Sequence, residues 1–320
     1  MPLYASIDVG SNTVRLLVAE TARGRIVREV LNLRTITRLG EGLKEGGGLK
    51  PEARERTLKA LKDYAARIAA LRVKGVSAVG TEALRKALDG GNFVDMVRDK
   101  TGLPLEIITG GEEARRTLLG IRAGMEGMTG EARKLLVDIG GGSTELVSTA
   151  DWDEHSSVSI PLGAVSLYER FLLEDPPVVQ RVLDLQRHCY KALAALKGFR
   201  PAEGWPWMVG TAGTITTLAA VELGLLEYDP VRVTGLRLGR ATVAALLSRF
   251  AGLSKESRRL IAGLEPGRED IILSGTALLG VLMDWAGVDS IVVCDWGLRE
   301  GNLLDYLEKR GGERAFLTLL

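Results

Sequence analysis

The sequence is poor in the residues that build disulfide frameworks, zinc centres and histidine-based catalytic sites. Its 320 residues include two cysteines and two histidines. Cys189 and Cys294 lie in apolar contexts typical of buried thiols, whereas His155 lies in a polar segment that predicts a turn and His188 in a predicted amphipathic helix. If the chain is an enzyme, we therefore expect a carboxylate as its base and an oxygen-rich metal site, which favours Mg²⁺ or Mn²⁺ over zinc.

Long apolar runs and an excess of one charge are also absent. No stretch approaches the length of a membrane span, and the first residues, MPLYASIDVG, enter a strand without the pattern of a secretion signal. Lys and Arg number 42 against 41 Asp and Glu, so the broad positive field of a general nucleic-acid binder is excluded. These features predict a cytoplasmic protein without a membrane or nucleic-acid partner, in which a polyanionic substrate would need local arginines.

The most informative stretch is segment 135–148, LLVDIGGGSTELVS. An apolar run ends in Asp138, passes through glycines and resumes at Glu145, which predicts strand, tight loop and strand. Consecutive glycines let several backbone N–H groups turn to one side, and two hydroxyls add donors, an arrangement suited to a phosphate. The residues of this candidate phosphate loop are Gly140, Gly141, Gly142, Ser143 and Thr144.

The same pattern occurs near the N-terminus in segment 6–18, SIDVGSNTVRLLV. Aligned without a gap, Asp8 matches Asp138 and Gly10 matches Gly140, so the chain contains an internal repeat. Two copies with an aspartate at the same place are hard to explain by turn chemistry alone, and both loops are therefore candidate phosphate sites. The residues of the first loop are Gly10, Ser11, Asn12 and Thr13.

Two further stretches carry candidate residues at the start of predicted helices. Glu112 and Glu113 follow a Gly-Gly strand exit; they complement the helix dipole, and their position also makes them candidates for a chemical role. Gly210 and Gly213, in GTAGT between a strand and a helix, fit either an anion site at a helix N-terminus or close packing of helix on strand. The sequence leaves both alternatives open.

Strands alternate with helices across both halves of the chain, and each half opens with a glycine hairpin. This order predicts an α/β protein of two related domains with a cleft between them and one phosphate loop on each wall. The expected division is 1–122 plus about 299–320 for the first domain and 123–298 for the second.

The motifs together resemble the exopolyphosphatase/guanosine pentaphosphatase (Ppx/GppA) family, in its short two-domain form. The resemblance covers nearly the whole chain and implies two actin-like, ribonuclease H-like domains of the ASKHA superfamily with an interdomain cleft. The motifs that carry it are the two hairpins, TEALRKA at 81–87, GGEEARR at 110–116, IPLGAVSLYERF at 160–171, GTAGTITTLAA at 210–220 and GLREG at 297–301.

The resemblance implies an enzyme that hydrolyses a terminal phosphoanhydride, releasing phosphate from polyphosphate or from guanosine pentaphosphate, the nucleotide of the stringent response. It makes Glu113 the base that activates water and gives Arg85, in the TxALR motif, a phosphate-binding role, with Arg38 as a further candidate. Longer family members form dimers, so a homodimer is possible, and the apolar segment Ala315–Leu320 would suit a dimer contact.

The same resemblance assigns the metal site. The catalytic carboxylates Asp138 and Glu145 would hold or orient Mg²⁺, with Mn²⁺ as a possible substitute, and Asp8 is a second candidate for organising the metal. Phosphoryl transfer needs neutralised oxygens and an aligned nucleophile, which backbone loops, arginines and a metal supply without a covalent intermediate.

Three alternatives compete with hydrolysis. A phosphotransferase related to sugar and acetate kinases would keep both loops, but the water-activating position of Glu113 favours hydrolysis. A non-catalytic sensor of polyphosphate or nucleotide would keep the loops and lose the carboxylates, which this chain retains. A dinucleotide-dependent oxidoreductase is disfavoured because Glu145 stands where the Rossmann fingerprint needs its third glycine.

Overall fold

The structure is a computed structural model that describes residues 1–44, 46–127, 133–150, 152, 155–201 and 203–311. The segment Ala315–Leu320, predicted to suit a dimer contact, lies outside the described residues. The strands are β1 (Leu3–Val9), β2 (Thr13–Ala22), β3 (Arg25–Ile36), β4 (Gly75–Gly80), β5 (Leu105–Ile107), β6 (Lys134–Ile139), β7 (Thr144–Thr149), β8 (His155–Ile160), β9 (Trp207–Thr211), β10 (Arg237–Gly239) and β11 (Ser290–Val293).

The helices surround these strands in both halves of the chain. They are α1 (Pro51–Ala70), α2 (Glu82–Lys86), α3 (Gly90–Thr101), α4 (Gly110–Gly124), α5 (Ala164–Phe171), α6 (Val179–Ala194), α7 (Ala212–Glu222), α8 (Pro230–Val233), α9 (Arg240–Ala251), α10 (Lys255–Arg259), α11 (Ile272–Ala286) and α12 (Leu298–Gly311). Among the described residues, no helix combines the length and the apolar character that crossing a bilayer would require.

The chain folds into two compact units. Unit 1 comprises Met1–Gly120 and the segment from Trp296 onward, and unit 2 comprises Ile121–Asp295. The first boundary lies inside α4 and the second lies between β11 and α12. The division predicted from the sequence differs from this one by a few residues at each crossing.

The sheets of the two units share one topology. In unit 1 the order is β3-β2-β1-β4-β5, with β1 to β3 antiparallel and β4 and β5 parallel to β1. In unit 2 the order is β10-β11-β9-β6-β7-β8, with β6 to β8 antiparallel, β9 and β11 parallel to β6, and β10 added at the edge. The repeated sequence motif is therefore the first hairpin of a repeated sheet.

Each unit has its own apolar core, as expected of a domain. In unit 1 the core includes Leu61 and Tyr64, which lie on the buried face of α1. In unit 2 the core surrounds α11, whose apolar residues lie on all sides and which is accordingly buried.

Several local predictions are confirmed and one is wrong. Cys189 and Cys294 are buried thiols outside any disulfide, and burial raises the pKa of Cys189 to about 12. His188 lies in α6 and packs against Phe171. His155 does not lie in a turn but begins β8, an edge strand paired with β7, whose mostly exposed polar residues hid its strand character.

Helices α4 and α12 cross within unit 1 at a contact that only glycine permits. A Cβ on Gly301 would overlap the backbone carbonyl of Arg116, and a Cβ on Gly120 would lie 3.0 Å from the backbone nitrogen of Gly301. Backbone atoms of two packed helices cannot move aside as a flexible side chain can. The GLREG motif therefore contains a residue required for close helix packing.

We expect Gly301→Ala to destabilise the protein by about 1–3 kcal/mol, because the added methyl group overpacks this crossing. Chemical denaturation followed by circular dichroism would measure the loss. Gly91→Ala is the matched control, since Gly91 lies in helix α3 and a Cβ there would meet no atom within 4 Å. Equal stabilities of the two variants would contradict this account of the crossing.

Candidate active site

The two glycine loops are built to the same pattern, as the gap-free repeat predicts. In unit 1 the N–H of Gly10 donates to the carbonyl of Thr13, and in unit 2 the N–H of Gly140 donates to the carbonyl of Ser143, both at 3.0 Å. A Cβ on Gly10 or Gly140 would lie 3.2 or 3.1 Å from those same carbonyl oxygens. A larger residue would therefore require that carbonyl oxygen to move by a few tenths of an ångström.

The two aspartates of the repeat occupy the same strand position but have different neighbours. Asp8 is paired across the hairpin with Arg15, whereas Asp138 is paired with Glu145. Directly opposed residues of antiparallel strands share one face of the sheet. Asp8 therefore lies beside a cationic residue, and Asp138 lies beside a second carboxylate.

Glu145 is a buried carboxylate held by two hydroxyl groups. Glu145 is 1% exposed, and its Oε1 accepts hydrogen bonds from Ser143 Oγ at 2.8 Å and Ser159 Oγ at 2.7 Å. Like charges opposed on one sheet face repel each other. The Asp138–Glu145 pair is thus an arrangement that a divalent cation would stabilise.

The hydroxyls of the second loop face the protein rather than offering their protons to a ligand. Ser143 donates to Glu145, and Thr144 Oγ1 donates to the carbonyl of Leu162 at 2.6 Å. The sequence predicts both hydroxyls as phosphate donors; in this arrangement, backbone N–H groups are the donors that the loop can offer.

Glu113 is a buried carboxylate of unit 1 whose direction an arginine fixes. It lies in the first turn of α4, is 7% exposed, and accepts a hydrogen bond from Arg85 Nη1 at 2.5 Å. The same Nη1 donates to the carbonyl of Ile108 at 3.0 Å, just before α4 begins. Arg85, predicted from its motif to bind phosphate, therefore orients the carboxylate predicted to be the base.

Glu112 has a different environment although it lies in the same helical turn. Its carboxylate accepts hydrogen bonds from Arg115 at 3.0 Å and from Arg116 at 3.3 Å. The hydrogen bond from Arg115 holds the pKa of Glu112 below its ordinary value. Glu112 thus belongs to an ion-pair network on α4, whereas Glu113 is bound by Arg85.

The polar residues of the first loop hold the loop together and are nearly buried. Ser11 Oγ donates to Glu82 Oε2 at 3.0 Å, and Asn12 Nδ2 donates to Thr13 Oγ1 at 3.3 Å. Arg38 lies beside this loop because its backbone N–H donates to the carbonyl of Asn12 at 2.9 Å. The structure thus brings Arg38 to the predicted phosphate loop of unit 1.

Of the two glycines in the GTAGT segment, Gly210 fits the packing of helix on strand, whereas Gly213 lies against an arginine side chain. A Cβ on Gly210 would lie 2.6 Å from Ile215 Cδ1, because α7 packs closely on β9. A Cβ on Gly213 would lie 2.5 Å from Arg268 Nη1, and Arg268 is a buried arginine that pairs with Glu265 at 2.5 Å. Sequence reasoning missed Arg268, since its approach to Gly213 joins segments far apart in the chain.

Two carboxylates of unit 2 could hold magnesium. Across the described ranges, no group of three or more His, Cys, Asp or Glu side chains forms a complete metal cage. Magnesium needs no such cage, because it commonly binds through one or two carboxylates together with waters and substrate phosphates. The opposed carboxylates of Asp138 and Glu145 offer that number of protein ligands.

The repeated sheet with its two equivalent glycine hairpins defines a protein of two related α/β domains. The model of the Ppx/GppA phosphatase family matches residues 17–310, and the chain belongs to that family, as the sequence motifs predict.

Individual relatives agree with this assignment. The chain is 34% identical over 310 residues to Exopolyphosphatase 2 of Mycobacterium tuberculosis, covering 93% of this chain and 96% of the relative. The crystal structure of the Aquifex aeolicus Ppx/GppA family member matches with a TM-score of 0.81 and 34% identity, covering 97% of this chain and 99% of that chain. An exopolyphosphatase structure from Cytophaga hutchinsonii, 24% identical over 96% of this chain and 98% of that one, shares the fold with a TM-score of 0.85.

Proposed function

We propose that this protein is an exopolyphosphatase that releases inorganic phosphate from the end of polyphosphate, and that it also accepts the 5′-triphosphate of guanosine pentaphosphate. Family membership and the similarity to an exopolyphosphatase support the proposal. The observation that carries it is the buried Glu113 carboxylate, which Arg85 holds at 2.5 Å. A fixed carboxylate in a phosphate-binding fold is the group that hydrolysis requires and phosphate binding alone does not.

Glu113 would act as the general base. It would take a proton from a water molecule as that water attacks the terminal phosphorus, while the bond from this phosphorus to the bridging oxygen breaks. The products are inorganic phosphate and a chain shorter by one phosphate. Arg85 contributes by fixing the direction of the carboxylate, since a base must lie within hydrogen-bond reach of the proton that it removes.

The remaining candidate residues would bind phosphate and metal. Backbone N–H groups of the loops beginning at Gly10 and Gly140 would bind phosphate oxygens. Asp138 and Glu145 would hold Mg²⁺, with Mn²⁺ as a possible substitute. When bound, the cation supplies positive charge that stabilises the oxygens of the transferred phosphoryl group.

Phosphate release from the purified protein tests this proposal. Long-chain polyphosphate, guanosine pentaphosphate and ATP would be compared at equal phosphate concentration, each with Mg²⁺ and with EDTA. We expect Mg²⁺-dependent release from polyphosphate well above that from ATP. Release from guanosine pentaphosphate in the parallel assay would establish the second substrate.

Two results would replace this proposal. ATP consumption that yields a phosphorylated acceptor, without release from polyphosphate, would identify a phosphotransferase. Tight binding of polyphosphate without any release under either metal condition would identify a sensor. In both cases Glu113 would need a role other than activation of water.

A further inference from the structure

Helix α5 in unit 2 begins directly behind the second glycine loop and binds its carbonyl groups. The N–H of Ala164 donates to the carbonyl of Gly140 at 3.0 Å, and the N–H of Val165 donates to the carbonyl of Gly141 at 2.8 Å. The N–H of Ser166 shares the Gly141 carbonyl at 3.2 Å. The first N–H groups of a helix have no partner within the helix, so the loop acts as the N-terminal cap of α5.

This capping fixes the direction of the loop's own N–H groups. In a trans peptide unit, the carbonyl of one residue and the N–H of the next point in opposite directions. Because the carbonyls of Gly140 and Gly141 point toward α5, the N–H groups of Gly141 and Gly142 point away from it. Both belong to the loop whose backbone N–H groups the proposed function assigns to phosphate.

The contact depends on the missing side chain of Gly163. Its backbone, with φ −135° and ψ 162°, is extended and open to any residue, so conformation does not require glycine here. Space does, because a Cβ would overlap the Gly141 carbonyl and the Gly142 nitrogen. We propose that Gly163 is a positioning residue, which lets α5 approach the loop closely enough to aim the N–H groups of Gly141 and Gly142 at phosphate.

In unit 1 a different set of residues donates hydrogen bonds to the carbonyl groups of the glycine loop. The carbonyl of Ser11 accepts the N–H of Gly40 at 2.8 Å, and the carbonyl of Asn12 accepts the N–H groups of Thr37 at 3.0 Å and Arg38 at 2.9 Å. A Cβ on Gly40 would lie 3.0 Å from Ser11 Cβ. In both units, the segment after the third strand of the sheet thus takes up the loop carbonyls, although the sequences of the two segments differ.

Gly163→Ala tests the assignment, and Gly239→Ala is its matched control. Gly239 also lies in unit 2 and directly precedes a helix, α9, with extended backbone. A Cβ at Gly239 would meet only Thr242 Oγ1, at 4.0 Å. The inference rests on the proposed function, so the readout is binding rather than turnover: the dissociation constant of tripolyphosphate by calorimetry with Mg²⁺, each substitution being made in an inactive Glu113→Gln background.

We expect Gly163→Ala to weaken tripolyphosphate binding about ten- to hundredfold, because small displacements of binding groups are costly. The amide NMR signals of Gly141 and Gly142 should shift on adding tripolyphosphate to the parent protein and shift less in the variant. Gly239→Ala should match the parent in both measurements. Equal affinities for the two alanine variants, or unmoved glycine signals in the parent, would overturn the assignment.

A second variant covers the case in which Gly163→Ala does not fold. Ser166 Oγ accepts the N–H of Gly163 at 3.1 Å and donates to its carbonyl at 3.1 Å, so Ser166→Ala loosens the same contact without overlap. It should weaken binding by a smaller factor, and unchanged affinity would contradict the proposal. If the wild-type protein binds tripolyphosphate but releases phosphate from none of the substrates, the hydrolase proposal is refuted. The affinities of the variants still test the positioning role of Gly163.

Discussion

Replacing Glu113 by glutamine should lower phosphate release by about 10²- to 10⁴-fold, the contribution typical of a positioned general base. Glutamine keeps the length and planarity of the side chain, and its carbonyl can still accept the hydrogen bond from Arg85. It has almost no basicity, so water would attack without proton transfer. Substrate binding should stay near the wild-type value.

Glu112→Gln is the control for this experiment. Both glutamates lie in the first turn of α4, so the two substitutions change the charge of the same turn equally. Glu112 pairs with Arg115 and Arg116, and its loss should affect stability more than rate. Initial rates and tripolyphosphate affinity would be measured for both variants. Equal loss of rate in both would mean that the charge of the turn, and not the Glu113 base, supports the reaction.

The contrast between the two glutamates shows how far the sequence alone can lead. Glu112 and Glu113 are the same residue type in the same helical turn, and only the family resemblance identifies Glu113 as the base. The structure supplies a physical distinction, because Arg85 of α2 binds one carboxylate while arginines of α4 bind the other. Such a distinction depends on a contact between separate segments, which no local pattern contains.

The fold was more accessible to prediction than the site. Apolar strands, glycine turns and the internal repeat predict both hairpins, and alternation of strands and helices predicts the two α/β units. Strand β8 is missed because its polar, exposed residues carry no alternating apolar signal. The packing roles of Gly163 and Gly301 are missed for a different reason, since each depends on the close approach of a segment that is not adjacent in sequence.

The cation prediction follows from the pairing of carboxylates across the second hairpin. Asp138 and Glu145 oppose each other on one face of the sheet, so without a cation their charges repel. We expect Asp138→Asn to leave the metal-free protein at least as stable as the wild type while lowering Mg²⁺-dependent phosphate release by several orders of magnitude. Removing Mg²⁺ with EDTA should abolish release by the wild-type protein, and Mn²⁺ should restore part of it.

Thermal unfolding with increasing Mg²⁺ would separate metal binding from catalysis. A ligand that binds only the folded state raises its stability as the ligand concentration exceeds the dissociation constant. The melting temperature of the wild type should therefore rise with Mg²⁺, and Asp138→Asn and Glu145→Gln should lose this rise. Asp289→Asn, which removes a fully exposed carboxylate from the same unit, is the control and should retain it.

Asp8→Asn decides between the two copies of the repeat. Asp8 is a candidate metal residue by its position in the motif, yet its cross-strand partner is Arg15, which supplies positive charge that Asp138 does not receive from Glu145. On this basis Asp8→Asn should keep the Mg²⁺-dependent rise in melting temperature even if phosphate release falls. If Asp8→Asn loses the Mg²⁺-dependent rise in melting temperature, Asp8 is among the metal ligands. If Asp138→Asn retains that rise, the opposed carboxylates of the second hairpin do not hold the cation.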